Sequence, residues 1–271
     1  MKQQINYPEC SKYNFFITFE GLDASYKLTN AKLIYDYLKD DFKKYIDTKD
    51  LQIKIASFPR YQSQSSYYIK KYLNGNYVDK PNEVGLQSTA YLNFVANIFL
   101  MDMYDWYESI KQKRFFAKPS IIILDRYWYS MLYYLTKEIK ITIEQYHMTD
   151  PLSFIEKSQQ SIYKLAHDQL KLPETDILIN LHNNSIGDIS AKIKQRGEKK
   201  DIYENDKNYL GFVRNVFNST DFTPYVNSKY SSVVDIDVQN KDKEFIKEEL
   251  IEKIKPTLRR YKQIVARYKK R

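Results

Sequence analysis

The sequence predicts an α/β fold, a three-layer sandwich in which a five-stranded parallel sheet lies between layers of helices. Three observations predict it. Five short apolar runs recur, at Phe15–Glu20, Ile53–Phe58, Ser120–Leu124, Ile177–Leu181 and Ser232–Ile236. They are continuously apolar rather than alternating, as strands buried on both faces are. Amphipathic stretches of helical length separate them, which is what parallel strands need for their crossovers. With 271 residues, 43% of them hydrophobic, the chain can fill one large core.

The first run passes through Gly21 and the turn LDASY to Lys27, so Phe15–Thr29 reads as strand, tight turn and helix start. This is the layout of a phosphate-binding loop, G-x-x-x-x-G-K-[ST], set between a first strand and a first helix. Gly21 and Lys27 hold their places, while Tyr26 stands at the second glycine and Leu28 at the hydroxyl residue. The helix continues with an apolar stripe through Leu33, Ile34, Tyr37 and Leu38. A second helix is predicted over about Gln64–Leu73, ending at Asn74-Gly75 as a C-cap. A long helix over about Glu83–Lys113 carries Leu92, Phe94, Val95, Phe99 and Met103. Another begins after Tyr127, and the charged stretch 137–171 is expected to be an extended, less regular segment. Near the end, Lys241–Lys255 forms a helix whose Ile246, Leu250 and Ile254 make a docking face. Pro256 then separates one α/β domain, 1–255, from a basic C-terminal tail, 256–271.

Composition narrows the function classes. Cys10 is the only cysteine, which excludes an internal disulfide scaffold. His147, His167 and His182 have no ligand-like spacing, so no zinc site is expected. No apolar run approaches the roughly 18 to 20 residues of a membrane helix. The net charge of +9 concentrates in Arg259–Arg271, where seven of thirteen residues are basic. Such a tail contacts an acidic protein surface, anionic lipid or nucleic acid, or is simply a solvated helix end.

Six motifs in order carry a resemblance. They are FEGLD with its lysine (Phe19–Asp23, Lys27), FPR (Phe58–Arg60), LNFVAN (Leu92–Asn97), DRY (Asp125–Tyr127), LPETD (Leu172–Asp176) and QRG…YEN (Gln195–Gly197, Tyr203–Asn205). Together they make the chain resemble a thymidylate kinase, a P-loop NTPase-type enzyme that phosphorylates dTMP with ATP and Mg²⁺. The resemblance implies a role for each residue. Lys27 would neutralise the β/γ-phosphates while loop amides cradle them. Gly21 would belong to the nucleotide-binding loop, and Asp23 would accept from the deoxyribose 3′-hydroxyl. Arg60, after Phe58, would clamp the monophosphate and position its attacking oxygen. Arg126 would bind phosphate, and Asp125 would help hold a hydrated metal. Phe94 would stack on the thymine, with Tyr203 near the sugar. The alternatives are a core Phe94 and a structural Asp125–Arg126 ion pair.

The departures from the family pattern fall where chemistry is most demanding. Tyr26 occupies a glycine position at which φ > 0 is often required. Leu28 has no oxygen to offer Mg²⁺, and Thr29 lies about 100° further round the helix. Ala24 and Ile202 stand where the family carries its loop or lid arginine, and Ile98 where an arginine serves dTMP. Such arginines are worth roughly 10³–10⁵ in rate. The expectation is therefore a catalytically degenerate protein without a cofactor of its own, kept as an accessory or structural subunit alongside other protein subunits. A deoxynucleoside-kinase-fold subunit of the animal mitochondrial respiratory complex I offers the analogy, which would place this chain in the mitochondrion; otherwise it is cytoplasmic. Two rivals stand beside this reading: an active, divergent dTMP kinase using Mg²⁺ and ATP, and a sensor that binds dTMP or ATP without turnover.

Overall fold

The computed structural model describes residues 13–42, 51–75, 89–134, 151–183, 185, 191, 194–195, 210–211, 213–215 and 232–268. Five strands form one sheet: β1 (Asn14–Gly21), β2 (Gln52–Ser57), β3 (Ser120–Asp125), β4 (Ile177–His182) and β5 (Val233–Asp237). Their order is β2-β3-β1-β4-β5 and every pairing is parallel. Each predicted run became a strand to within two residues at either end.

Alternation along β1 sorts the two cores. Phe15, Ile17 and Phe19 join Ile121, Ile123, Ile177 and Ile179 on one face. That face is covered by α1 (Lys27–Tyr37) and α6 (Lys243–Tyr268). Phe16, Ile122, Leu124 and Leu178 point to the other face. There they meet α2 (Tyr67–Leu73), α3 (Thr89–Gln112), α4 (Tyr129–Tyr134) and the end of α5 (Pro151–Tyr163). The three layers are those the unbroken apolar strands require.

Two sequence expectations are corrected. The stretch 137–171 is helical over α5 and continues as a π-helical turn, Lys164–Gln169. Pro151 is the first residue of that helix, the position where a missing N–H costs nothing; residues 135–150 lie outside those described. Nor does the chain break at Pro256, because α6 runs through it to Tyr268. Its face keeps its register beyond the proline, with Leu258, Tyr261 and Val265 at most 1% exposed. The Tyr261 hydroxyl donates to the Tyr13 and Ser120 carbonyls, and its ring lies 4.8 Å from that of Phe15. Packing of this size offsets the hydrogen bond a proline removes from a helix.

Candidate functional site

Strand order places the site. From β1 the chain goes outward to β2, and from β3 it crosses to β4 on the other side, so the switch lies between the carboxyl ends of β1 and β3. Ligands of open parallel sheets bind in that crevice. Phe19 pairs with Asp125 and Gly21 with Leu181, so the ends of β1, β3 and β4 are level there.

The loop Gly21–Tyr26 leaves β1 under tight constraint. Gly21 has φ 148°, and a Cβ there would sit 2.5 Å from the Leu181 carbonyl oxygen. Ala24 and Tyr26 are both left-handed, at φ 60°. Tyr26 therefore adopts the conformation that favours glycine and bears the Cβ penalty of roughly 1–2 kcal/mol. Tyr26 and Leu28 are 46% and 40% exposed, so neither gains burial from its position. Lys27, by contrast, is buried and turns back into its own loop, donating to the carbonyls of Gly21 at 2.9 Å and Leu22 at 2.5 Å. Burial, then the neighbouring Arg126 charge, lowers its pKa to about 8.

At the end of β3, Arg126 is left-handed (φ 65°), and its backbone amide donates to the Phe19 carbonyl at 2.9 Å. Its guanidinium bonds the Asp23 carboxylate. The ion pair in this corner is thus Arg126–Asp23 rather than Arg126–Asp125. Asp125 is 9% exposed, and its Oδ1 has no hydrogen-bond partner among the described residues. Ser25 is fully buried and its Oγ is orphaned in the same way. These are the oxygens a cation would seek, but Leu28 supplies none. Among the described residues no group of three or more His, Cys, Asp or Glu can hold a metal. Mg²⁺ needs few protein ligands beside water and substrate phosphates, and Leu28 leaves this donor set without the hydroxyl that the resemblance implies.

Glu20 is the residue whose role the sequence did not disclose. It is the last side chain of β1 before Gly21, is completely inaccessible, and accepts from the Tyr127 amide at 2.8 Å and the Ser130 hydroxyl at 2.7 Å. It thereby caps the approach to α4 and ties the loop strand to the turn after β3. Burial pushes its carboxyl up to about 7, against the opposing pull of Ser130, Arg126 and Lys27. The available signal was a lone carboxylate closing an otherwise apolar strand.

Beyond β2, Phe58 is 4% exposed and packs edge-on against Trp106 at 5.5 Å, so it belongs to the core. Its amide donates to the Asp125 carbonyl at 2.9 Å, which brings the FPR turn to the same sheet edge. Arg60 is held by α3: its guanidinium pairs with Asp102 at 2.9 Å and Asp105 at 2.6 Å. Neither aspartate was singled out in the sequence. Phe94, also on α3, is 39% exposed and not part of the core. Eleven residues separate it from Asp105, about three helical turns, so the two share a face. Ile98 packs partly buried against the core. Tyr203 and Ile202 lie outside the described residues, as do Gly197 and the YEN motif.

Comparison with known proteins agrees with this geometry. No family model matches the chain. Thymidylate kinase of Plasmodium falciparum (isolate 3D7) is 31% identical over 119 residues, 44% of this chain and 47% of that protein. Thymidylate kinase of Sulfurihydrogenibium sp. (strain YO3AOP1) is 56% identical over 36 residues, 13% of this chain and 18% of that protein. The aligned stretches therefore span less than half the length of these relatives. In fold, the chain is similar to deoxyadenosine kinase from M. mycoides with products dCMP and dCDP bound, at TM-score 0.53 and 14% identity, over 89% of this chain and all of that one. The same enzyme with dATP bound gives TM-score 0.52 and 13% identity, over 89% and 99%. Motifs, strand order and loop geometry converge: the chain is similar to thymidylate kinases over part of its length and has the P-loop kinase fold seen in the deoxyadenosine kinase.

Proposed function

We propose that this protein has lost phosphoryl transfer and serves as an accessory or structural subunit of a larger assembly. Leu28 carries the reading. It stands exposed in the first turn of α1, where the resemblance calls for a hydroxyl that binds Mg²⁺, and an isobutyl group has no donor for a metal. Three further features support it. Tyr26 takes a left-handed conformation at a glycine position, Ala24 and Ile98 replace arginines, and Lys27 is satisfied by its own loop. Placement in a mitochondrial respiratory assembly follows from the animal complex I analogy, and near-stoichiometric co-purification of the native protein tests it.

The direct experiment is turnover of dTMP by the purified chain with Mg·ATP. No dTDP above background is expected, and ordinary kinase rates would overturn the proposal. Calorimetry separates the rivals. Binding of dTMP or ATP that survives chelation of divalent cations marks a metal-independent sensor. Binding that requires Mg²⁺ marks a divergent working enzyme.

A further inference from the structure

We infer that the acceptor corner at Arg60 takes an uncharged nucleoside in preference to a nucleoside monophosphate. This rests on the thymidylate kinase-like reading of the crevice, though not on the loss of transfer. The Arg60 edge formed by Nε and Nη2, which could grip a phosphate with two parallel bonds, is already filled. Nε donates to Asp102 Oδ1 at 3.1 Å, and Nη2 donates to the same oxygen at 2.9 Å. Nη2 also lies 2.7 Å from Ser65 Oγ, 2.9 Å from the Asp102 carbonyl and 2.6 Å from Asp105 Oδ2. The Arg60 backbone amide adds a bond to Asp102 Oδ2 at 2.8 Å.

This clamp cannot swing out to meet a phosphate. The Asp102 side chain is 1% exposed, and withdrawing the guanidinium would leave a buried carboxylate without its counter-charge, held by the Arg60 amide and the Ser65 hydroxyl. Asp105 sets the sign of what remains, because its side chain is 57% exposed and its charge is felt outside the protein. One guanidinium and two carboxylates give the corner a formal excess of one negative charge. A phosphate dianion about 6 Å from that charge loses about tenfold in affinity even at the dielectric constant of water. A sugar hydroxyl or a base carbonyl carries no such penalty and still finds donors and acceptors here.

Calorimetry on the full chain without divalent metal tests this with two matched pairs, thymidine against dTMP and 2′-deoxyadenosine against dAMP. At least one nucleoside is expected to bind about tenfold more tightly than its own monophosphate. Asp105→Asn is expected to narrow that gap by about tenfold, and the exposed site leaves folding intact, checked by thermal unfolding. Equal or tighter binding of the monophosphates overturns the inference. So does an unchanged gap in the variant, or no heat with any of the four at millimolar ligand. Phosphoryl transfer at ordinary kinase rates to either acceptor would instead refute the loss of transfer, and the affinity ratios would still decide the ligand class.

Discussion

Replacing Tyr261 with alanine should unfold this protein at a markedly lower temperature, although the residue lies in the basic tail, five positions beyond Pro256. The side chain is 1% exposed, its ring stacks at 4.8 Å on Phe15, and its hydroxyl donates to the carbonyls of Tyr13 and Ser120. Removing a buried aromatic ring costs about 3–5 kcal/mol, since the cavity only partly collapses. Loss of the hydroxyl bond adds about 1 kcal/mol. For a domain of this size each kcal/mol moves the midpoint by roughly 2–4 °C, so the shift should be on the order of 10–20 °C. Differential scanning calorimetry reads it directly. Arg259→Ala, on the exposed side of the same helix, is the control and should move the midpoint by no more than about 2 °C. If Tyr261→Ala behaves like Arg259→Ala, α6 beyond Pro256 is a tail and not part of the fold.

Three further outcomes are expected. Burial raises the Glu20 pKa from 4.5 to about 7, so between those values the folded chain holds a proton that the unfolded chain has released, and stability falls as pH rises through that window. Glu20→Gln cannot titrate, so denaturant unfolding at pH 5 and pH 7.5 should show a smaller loss in the variant; parallel loss in both proteins would refute the assignment. Tyr26→Gly should raise stability by about 1 kcal/mol, because the left-handed strain outweighs the extra freedom of the unfolded chain, and a lowered urea midpoint would count against it. Asp102→Asn breaks a buried pair and should cost about 3–5 kcal/mol, read as a large fall in the thermal midpoint.

The layers, the strand order's raw material and the crevice were legible because the strands are apolar on both faces and the motifs sit at their ends. Helix continuity through Pro256 was not, because proline signals a break locally and only the run at spacings of three and four from Ile254 through Leu258 to Tyr261 and Val265 overrides it. The partners of the site residues were equally hidden. Arg60 meets Asp102 and Asp105 from 42 and 45 positions away, and Arg126 meets Asp23 from 103 away. Spacing within a motif carries no information about such pairs. Tertiary packing alone chooses Asp23 over the adjacent Asp125 as the partner of Arg126.

The pattern of survival and loss along the crevice has a physical reading. Lys27 is bonded to two loop carbonyls, Arg126 to Asp23, Arg60 to two aspartates, and Glu20 to the Tyr127 amide and Ser130. Each of these residues has an intramolecular partner, and two of them, Lys27 and Glu20, are buried, so removing one would leave an unsatisfied group whatever the chain binds. Tyr26 and Leu28 are exposed. A serine at 28 would contribute little to the fold itself, and Tyr26 costs the fold strain that a glycine would relieve. The residues that keep the resemblance are thus those the fold itself holds, and the altered positions are ones whose present side chains the fold does not require. Retention of Lys27, Arg60 and Arg126 is accordingly weak support for catalysis, and the substitutions at Tyr26 and Leu28 bear on it far more directly.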